Sequence, residues 1–100
     1  MPPPNAIHKY NVIQMHAESP ISRLVRMYQV GINACQQKDA YKVTKVLFLL
    51  HKKLDHQASP KLAANLTRLY KHLQACCEQG DFDQVASTFN QLQSQWRTLH

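Results

Sequence analysis

Residues 59–81 read SPKLAANLTRLYKHLQACCEQGD, and this stretch decides the fold. Ser59-Pro60 is a helix start: a hydroxyl able to accept a free amide, then a proline whose missing N–H is not needed in the first turn. Leu62, Leu66, Leu69, Tyr70, Leu73 and Cys77 then recur at three- and four-residue steps, so they share one helix face. Gly80 suits the left-handed residue that ends a helix, and Asp81 can cap the next one.

The same grammar extends in both directions. Ser19-Pro20 repeats the start signal, and Ile21, Leu24, Val25, Tyr28, Ile32 and Cys35 follow at helical spacing. Gln36-Gln37-Lys38 ends that stripe. Asp39 can cap a second helix carrying Val43, Val46, Leu47, Leu50 and Leu54. After Asp81, the stripe is Phe82, Val85, Phe89, Leu92, Trp96 and Leu99. The pattern predicts four helices of roughly 17–20 residues each, with no competing strand alternation. Short connections force antiparallel neighbours. The expected fold is therefore all-α: an antiparallel up-down four-helix bundle over residues 19–100. Residues 1–18, with Pro2 to Pro4 resisting regular structure, form an N-terminal arm or short helix.

Composition narrows the function classes. Hydrophobic residues make up 44% and charged residues 18%, too apolar for a disordered chain. The longest apolar run, Val46 to Leu50, is far short of the ~20 residues that span a membrane. Met1-Pro2-Pro3-Pro4-Asn5 lacks the basic and apolar regions of a secretory signal. Gly31 and Gly80 are the only glycines, which excludes glycine-rich phosphate loops. Cys35, Cys76 and Cys77 give an odd count with two neighbours, so no disulfide framework is expected and a cytoplasmic location is.

Catalytic and metal chemistry find little footing. Six acidic residues are scattered, and Asp81 and Asp83 sit where they suit a helix dipole. Ser22, Ser59, Ser87 and Ser94 show no activating histidine and acid. Cys76-Cys77 reads as small core residues. His72 and Cys76 stand four apart on one helix face, but a closed zinc site needs four ligands. The expectation is no enzyme, no cofactor and no metal. The net charge is +6, and Lys38, Lys42, Lys45, Lys52 and His56 run along roughly one side of the second helix. Such a stripe fits a small basic nucleic-acid binder, an attractor for an acidic partner, or simply a solvated helix face.

Other residues fit packing and partner contact alike. Tyr28, Leu69 and Tyr70 lie on core stripes, where a tyrosine buries its ring and finds its hydroxyl a partner. Asn65, among Leu62, Leu66 and Leu69, reads as a buried amide that bonds either a neighbouring helix near Ser19-Pro20 or a partner's backbone. Met15 and Met27 suit core filling or adaptable contact. Trp96 suits an anchor for the end of the last helix.

The residues are also familiar together. Asn65-Leu66-Thr67-Arg68-Leu69-Tyr70-Lys71-His72-Leu73 resembles the N-L-x-x-L-Y-x-Y-M segment of the flagellar secretion chaperone FliS family, with Ala63 at its preceding small position. Glu18-Ser19-Pro20 looks like the family's A-S-P or A-T-P, which follows a tyrosine, here Tyr10. Ile7 and Tyr10 match an I-x-x-Y arrangement, and Met27-Tyr28-Gln29-Val30 stands where L-Y-D-G is usual. Val85, Phe89, Leu92 and Trp96 keep the spacing of the last helix. The resemblance spans residues 7–96. Departures are Gln29 and Val30 for the aspartate and glycine, Ala58-Ser59 for a glycine pair, His72 for a tyrosine, a basic balance where the family is often acidic, and shorter second-helix connections.

The resemblance implies a cytoplasmic, non-enzymatic chaperone. Its partner would be the C-terminal segment of flagellin, kept from premature polymerisation and delivered to a component of the flagellar type III export gate. The implied partner-binding residues are Ile7, Tyr10, Tyr28, Asn65, Leu66, Leu69 and Tyr70. No nucleic acid or membrane insertion is implied, and the state is monomer or weak dimer. The alternative within the same fold is a diverged adaptor or regulator of flagellar assembly that ignores flagellin. The alternative of another class is the nucleic-acid binder.

Overall fold

A computed structural model describes residues 19–98. The expectations on Ile7, Tyr10, Met15, Leu99 and the arm of residues 1–18 lie outside them. Four helices follow in order: α1 (Pro20–Gln36), α2 (Ala40–Lys52), α3 (Pro60–Glu78) and α4 (Phe82–Arg97). No strand occurs among the described residues. Each helix contacts the next, and α4 returns against α1, which is the most extensive contact of the four. The result is a helical bundle around one core.

Three helix starts are capped as their residues dictate. The Ser19 hydroxyl accepts from the Ser22 amide at 3.0 Å, ahead of Pro20 in the first turn. Asp39 and Asp81 accept from Lys42 and Gln84 at 3.1 and 3.2 Å. The fourth start corrects the reading of Ser59, whose side chain makes no capping bond. Asp55 instead organises the approach to α3, its carboxylate accepting from the Gln57 and Ala58 amides. Helix α2 is also shorter than its stripe implied, 13 residues, because it ends at Lys52 and leaves Leu54 beyond it.

The α1–α2 and α3–α4 connections are the same device. The Asp39 amide reaches Ala34 O and the Lys38 amide reaches Cys35 O; Asp81 and Gly80 do the same to Cys76 and Cys77. This paired pattern closes a helix through one left-handed residue. Gly80 adopts φ +79 at no steric cost, whereas Lys38 is held at φ 53 with a side chain.

The likeness goes deeper than the turns. Tyr28 and Tyr70 are 42 residues apart, and at that spacing one helix pair repeats the other. Leu24, Arg26, Tyr28, Cys35, Gln37, Asp39, Val43 and Leu50 stand against Leu66, Arg68, Tyr70, Cys77, Gln79, Asp81, Val85 and Leu92. Burial follows the same shift: Gly31 and Leu73, Ala34 and Cys76, and Leu47 and Phe89 are buried in both pairs.

The core centres on Tyr28, Val43, Leu73, Val85 and Phe89, none with measurable exposure. Tyr28 and Phe89 meet as tilted rings with centroids 5.6 Å apart. Gly31 lets α4 come close: a Cβ there would lie 2.5 Å from Phe89 Cε2. Gln93 is the one buried polar side chain among the described residues. It donates through Nε2 to Val25 O at 3.0 Å and to Gln29 Oε1 at 3.1 Å, tying α4 to α1. A buried amide so satisfied fixes register.

Candidate binding site

The α1–α4 seam is closed by Gly31, Phe89 and Gln93. Its equivalent under the 42-residue shift is the α2–α3 seam, which is open. A groove there is lined by Leu47, Phe48, His51, Thr67, Tyr70 and Gln74, among others. Phe48 projects beside it, 63% exposed. The Gln74 amide donates to Thr44 Oγ1 at 3.0 Å across the seam and bridges α3 to α2.

A second opening lies at one end of the bundle. Leu24, Leu50, Leu54, Leu62, Leu66 and Trp96 are prominent in its wall, and Tyr70 lines it too. Its volume is about 180 Å³, close to that of engineered apolar cavities that accept a benzene ring. It therefore suits one anchoring side chain rather than a whole helix. Leu62, 46% exposed, stands at its mouth. Tyr70 belongs to both openings, so groove and cavity adjoin.

Behind Tyr70 is a polar knot in an apolar setting. The Tyr28 and Tyr70 hydroxyls are 2.6 Å apart, bonded across the middle of the core. Trp96, a donor only, is a further polar side-chain neighbour of Tyr28. Burial raises both tyrosines above their ordinary range; the polar neighbours Tyr70 and Trp96 partly offset this for Tyr28, while Tyr28 pushes Tyr70 further up. Burial, with the nearby Cys77 second, pushes the Cys35 thiol up to about 11, and burial also raises Cys77. A thiol held neutral is a poor nucleophile. His72 and Cys76 do meet, Nε2 to Sγ at 3.6 Å. Among the described residues no third His, Cys, Asp or Glu joins such a pair.

The sequence-predicted residues therefore divide. Leu66 and Tyr70 come together at the cavity. Tyr28 has no exposed surface and lies behind Tyr70, to whose hydroxyl it is bonded. Leu69 is half-buried against the core and lines neither opening. The reading of Asn65 as a buried amide is corrected: it is exposed, and its Oδ1 accepts from the Arg68 guanidinium on the same helix. The buried centre of α3 runs through Ala63, Leu66, Tyr70, Leu73 and Cys77, which turns Asn65 and Leu62 outward. The buried amide is Gln93, which an apolar stripe could not disclose. Phe48 and Leu54 were also missed as site residues; Phe48 lies one position off its stripe, and that was its only signal.

No helix among the described residues is long and apolar enough to cross a membrane. No family model, curated protein or solved structure matches the chain.

Proposed function

We propose that the chain is a flagellar export chaperone of the FliS kind, working in the cytoplasm without a catalytic step. Its four helices run up and down, antiparallel. Supporting this, the end cavity gathers the starts of α1 and α3 with the ends of α2 and α4. The mechanism is sequestration. The amphipathic C-terminal segment of flagellin lays its apolar face along the α2–α3 groove and seats one large side chain in the end cavity, which masks it until handover to the export gate. One observation carries the reading: the α2–α3 seam is open where its equivalent is closed, leaving Phe48 and Leu62 exposed around Tyr70. Ordering a disordered segment lowers affinity for a given contact area, and that favours release.

The test is calorimetry with a peptide from the C-terminus of the same organism's flagellin. One-to-one binding with a negative heat-capacity change and weak salt dependence is expected. Phe48→Asp and Leu62→Asp, both at exposed positions, should each weaken it by tenfold or more, since a buried apolar side chain contributes about 1.5–3 kcal/mol. Circular dichroism must show both variants folded. Normal binding by a folded Phe48→Asp protein would refute the groove, and no binding by the parent would refute the flagellin assignment.

A further inference from the structure

The two helix pairs share a core but not a surface. Residues 19–54 hold seven of the twelve Lys and Arg against a single acid, Asp39. Residues 55–100 hold four of each sign. Lys9 and Glu18 cancel in the remainder, so the whole net charge of +6 sits on the α1–α2 pair. Internal repetition supplies the control that a lone basic surface lacks: the same fold, built twice in one chain, is cationic once.

The charge also surrounds something. Between α1 and α2 runs an outer groove with Met27, Val30 and Leu49 in its floor and Arg23, Arg26 and Lys53 along its rim. Val30 is 42% exposed. Shifted by 42 residues, the floor becomes Leu69, His72 and Gln91, and the rim becomes Asn65, Arg68 and Gln95. The second pair thus loses two cations and most of the apolar floor at the same place. Solubility alone does not explain an apolar strip kept exposed between arginines and lysines.

We infer that the α1–α2 face docks an acidic amphipathic helix of a protein partner. The partner's apolar stripe lies on Val30 and Leu49, and its flanking carboxylates meet Arg23, Arg26 and Lys53. Charge speeds encounter and fixes register, while the floor supplies the apolar contact. Nucleic acid fits less well. Phosphates make no use of an apolar floor, and the exposed rings of Tyr41 and Phe48, on which bases would stack, do not line this groove. The face shares no residue with the α2–α3 groove and meets the end cavity only at Lys53, so the two partners occupy largely different surfaces.

The probe is a fluorescein-labelled synthetic helix of 18 residues with a leucine stripe on one face and glutamate on the others, followed by anisotropy. A shuffled peptide of the same composition lacks the stripe. Two double variants separate place from net charge. Arg23→Gln with Lys53→Gln and Gln91→Glu with Gln95→Glu each lower the net charge from +6 to +4. All four positions are exposed. The striped peptide should bind the parent at least tenfold more tightly than the shuffled one, and more weakly as salt rises. The first double variant should lose at least fivefold and the second less than twofold. Equal losses in the two variants, or equal affinity for the two peptides, would reduce the effect to bulk charge and overturn the proposal. So would no binding of the striped peptide, or tighter binding of a DNA duplex or of phosphatidylglycerol vesicles. Lys53 also borders the end cavity, so flagellin-peptide binding is compared in Phe48→Asp and in Arg23→Gln alone, which keeps the two readings apart: it should follow Phe48→Asp and not Arg23→Gln.

Discussion

Replacing Gly31 by alanine sets two effects of opposite sign against each other. In an exposed helix interior the change stabilises by about 1 kcal/mol. Here the new Cβ would lie 2.5 and 2.8 Å from Phe89 Cε2 and Cδ2, and 3.2 Å from Val46 Cγ1. The first two are distances that real methyl groups do not tolerate, so something must move. Phe89 is fully buried and held against Tyr28 with centroids 5.6 Å apart, so its ring has no outward path. Relief requires α1 and α4 to part or the ring to leave its rotamer. Overpacking of this kind costs about 1–3 kcal/mol, and two ring atoms inside 3 Å place it at the upper end. Subtracting the helical gain leaves a net loss of about 2 kcal/mol. For a domain of this size that lowers Tm by about 8–16 °C. Thermal and urea denaturation followed by circular dichroism measure it. A Gly31→Ala protein as stable as its parent would mean that the seam yields and that close packing does not hold α4 to α1. Adding Phe89→Leu gives a second check: the double variant should lose less than the sum of the two singles, because the clashing ring atoms are gone.

Three further outcomes follow from the interior and the turns. Tyr28→Phe takes the buried Tyr70 hydroxyl's partner away and should cost about 1–3 kcal/mol, with Tyr28→Phe plus Tyr70→Phe costing less than the two singles summed, by urea midpoints. Lys38→Gly should raise stability by about 0.5–1 kcal/mol, since the left-handed strain it removes exceeds the entropy that glycine adds to the unfolded chain; an unchanged or lower midpoint would contradict this. Stability should decline as pH rises from 9 through 11. The Cys35 thiol titrates near 11 in the fold against an ordinary 9.0, and Tyr28 and Tyr70 are also raised. Below pH 9 these groups are neutral in both states and the stabilisation is complete. Above it the unfolded chain ionises first, and the advantage is lost as pH passes the folded value. Cys35→Ala should make that decline shallower, and an unchanged slope would remove the thiol from the account.

The element order was legible because its signals are local. Ser19-Pro20, Asp39 and Gly80-Asp81 act through bonds within a few residues, and the stripes follow helical period directly. What escaped depends on the partner helix. Gly31 looks like a weak helix residue until Phe89 is placed opposite it. Gln93 looks like surface until Val25 O and Gln29 are within reach. Ser59 resembled Ser19, yet its hydroxyl does no capping, and the side-chain bonds of that turn are those Asp55 accepts from the Gln57 and Ala58 amides ahead of the helix. At the site, Leu66 and Tyr70 were found through their stripe. Phe48 was not, since an exposed ring beside an open seam is visible only once the seam is known to be open. Asn65 failed for a related reason: a stripe fixes which way a face points only to within part of a turn, and one position decides between core and solvent.

The seam between α1 and α4 has a consequence for how the protein is made. Gln93 reaches back 68 positions to Val25, so this contact joins the first helix to the last and cannot form until α4 has been made. During synthesis α1 emerges early and waits, its Tyr28 and Gly31 face uncovered, until α4 has left the ribosome. For that interval the nascent chain shows an apolar surface that the finished protein hides, and it is then most open to aggregation or to capture by general chaperones. A stop codon anywhere before Phe89 would not give a smaller bundle; it would make that interval permanent.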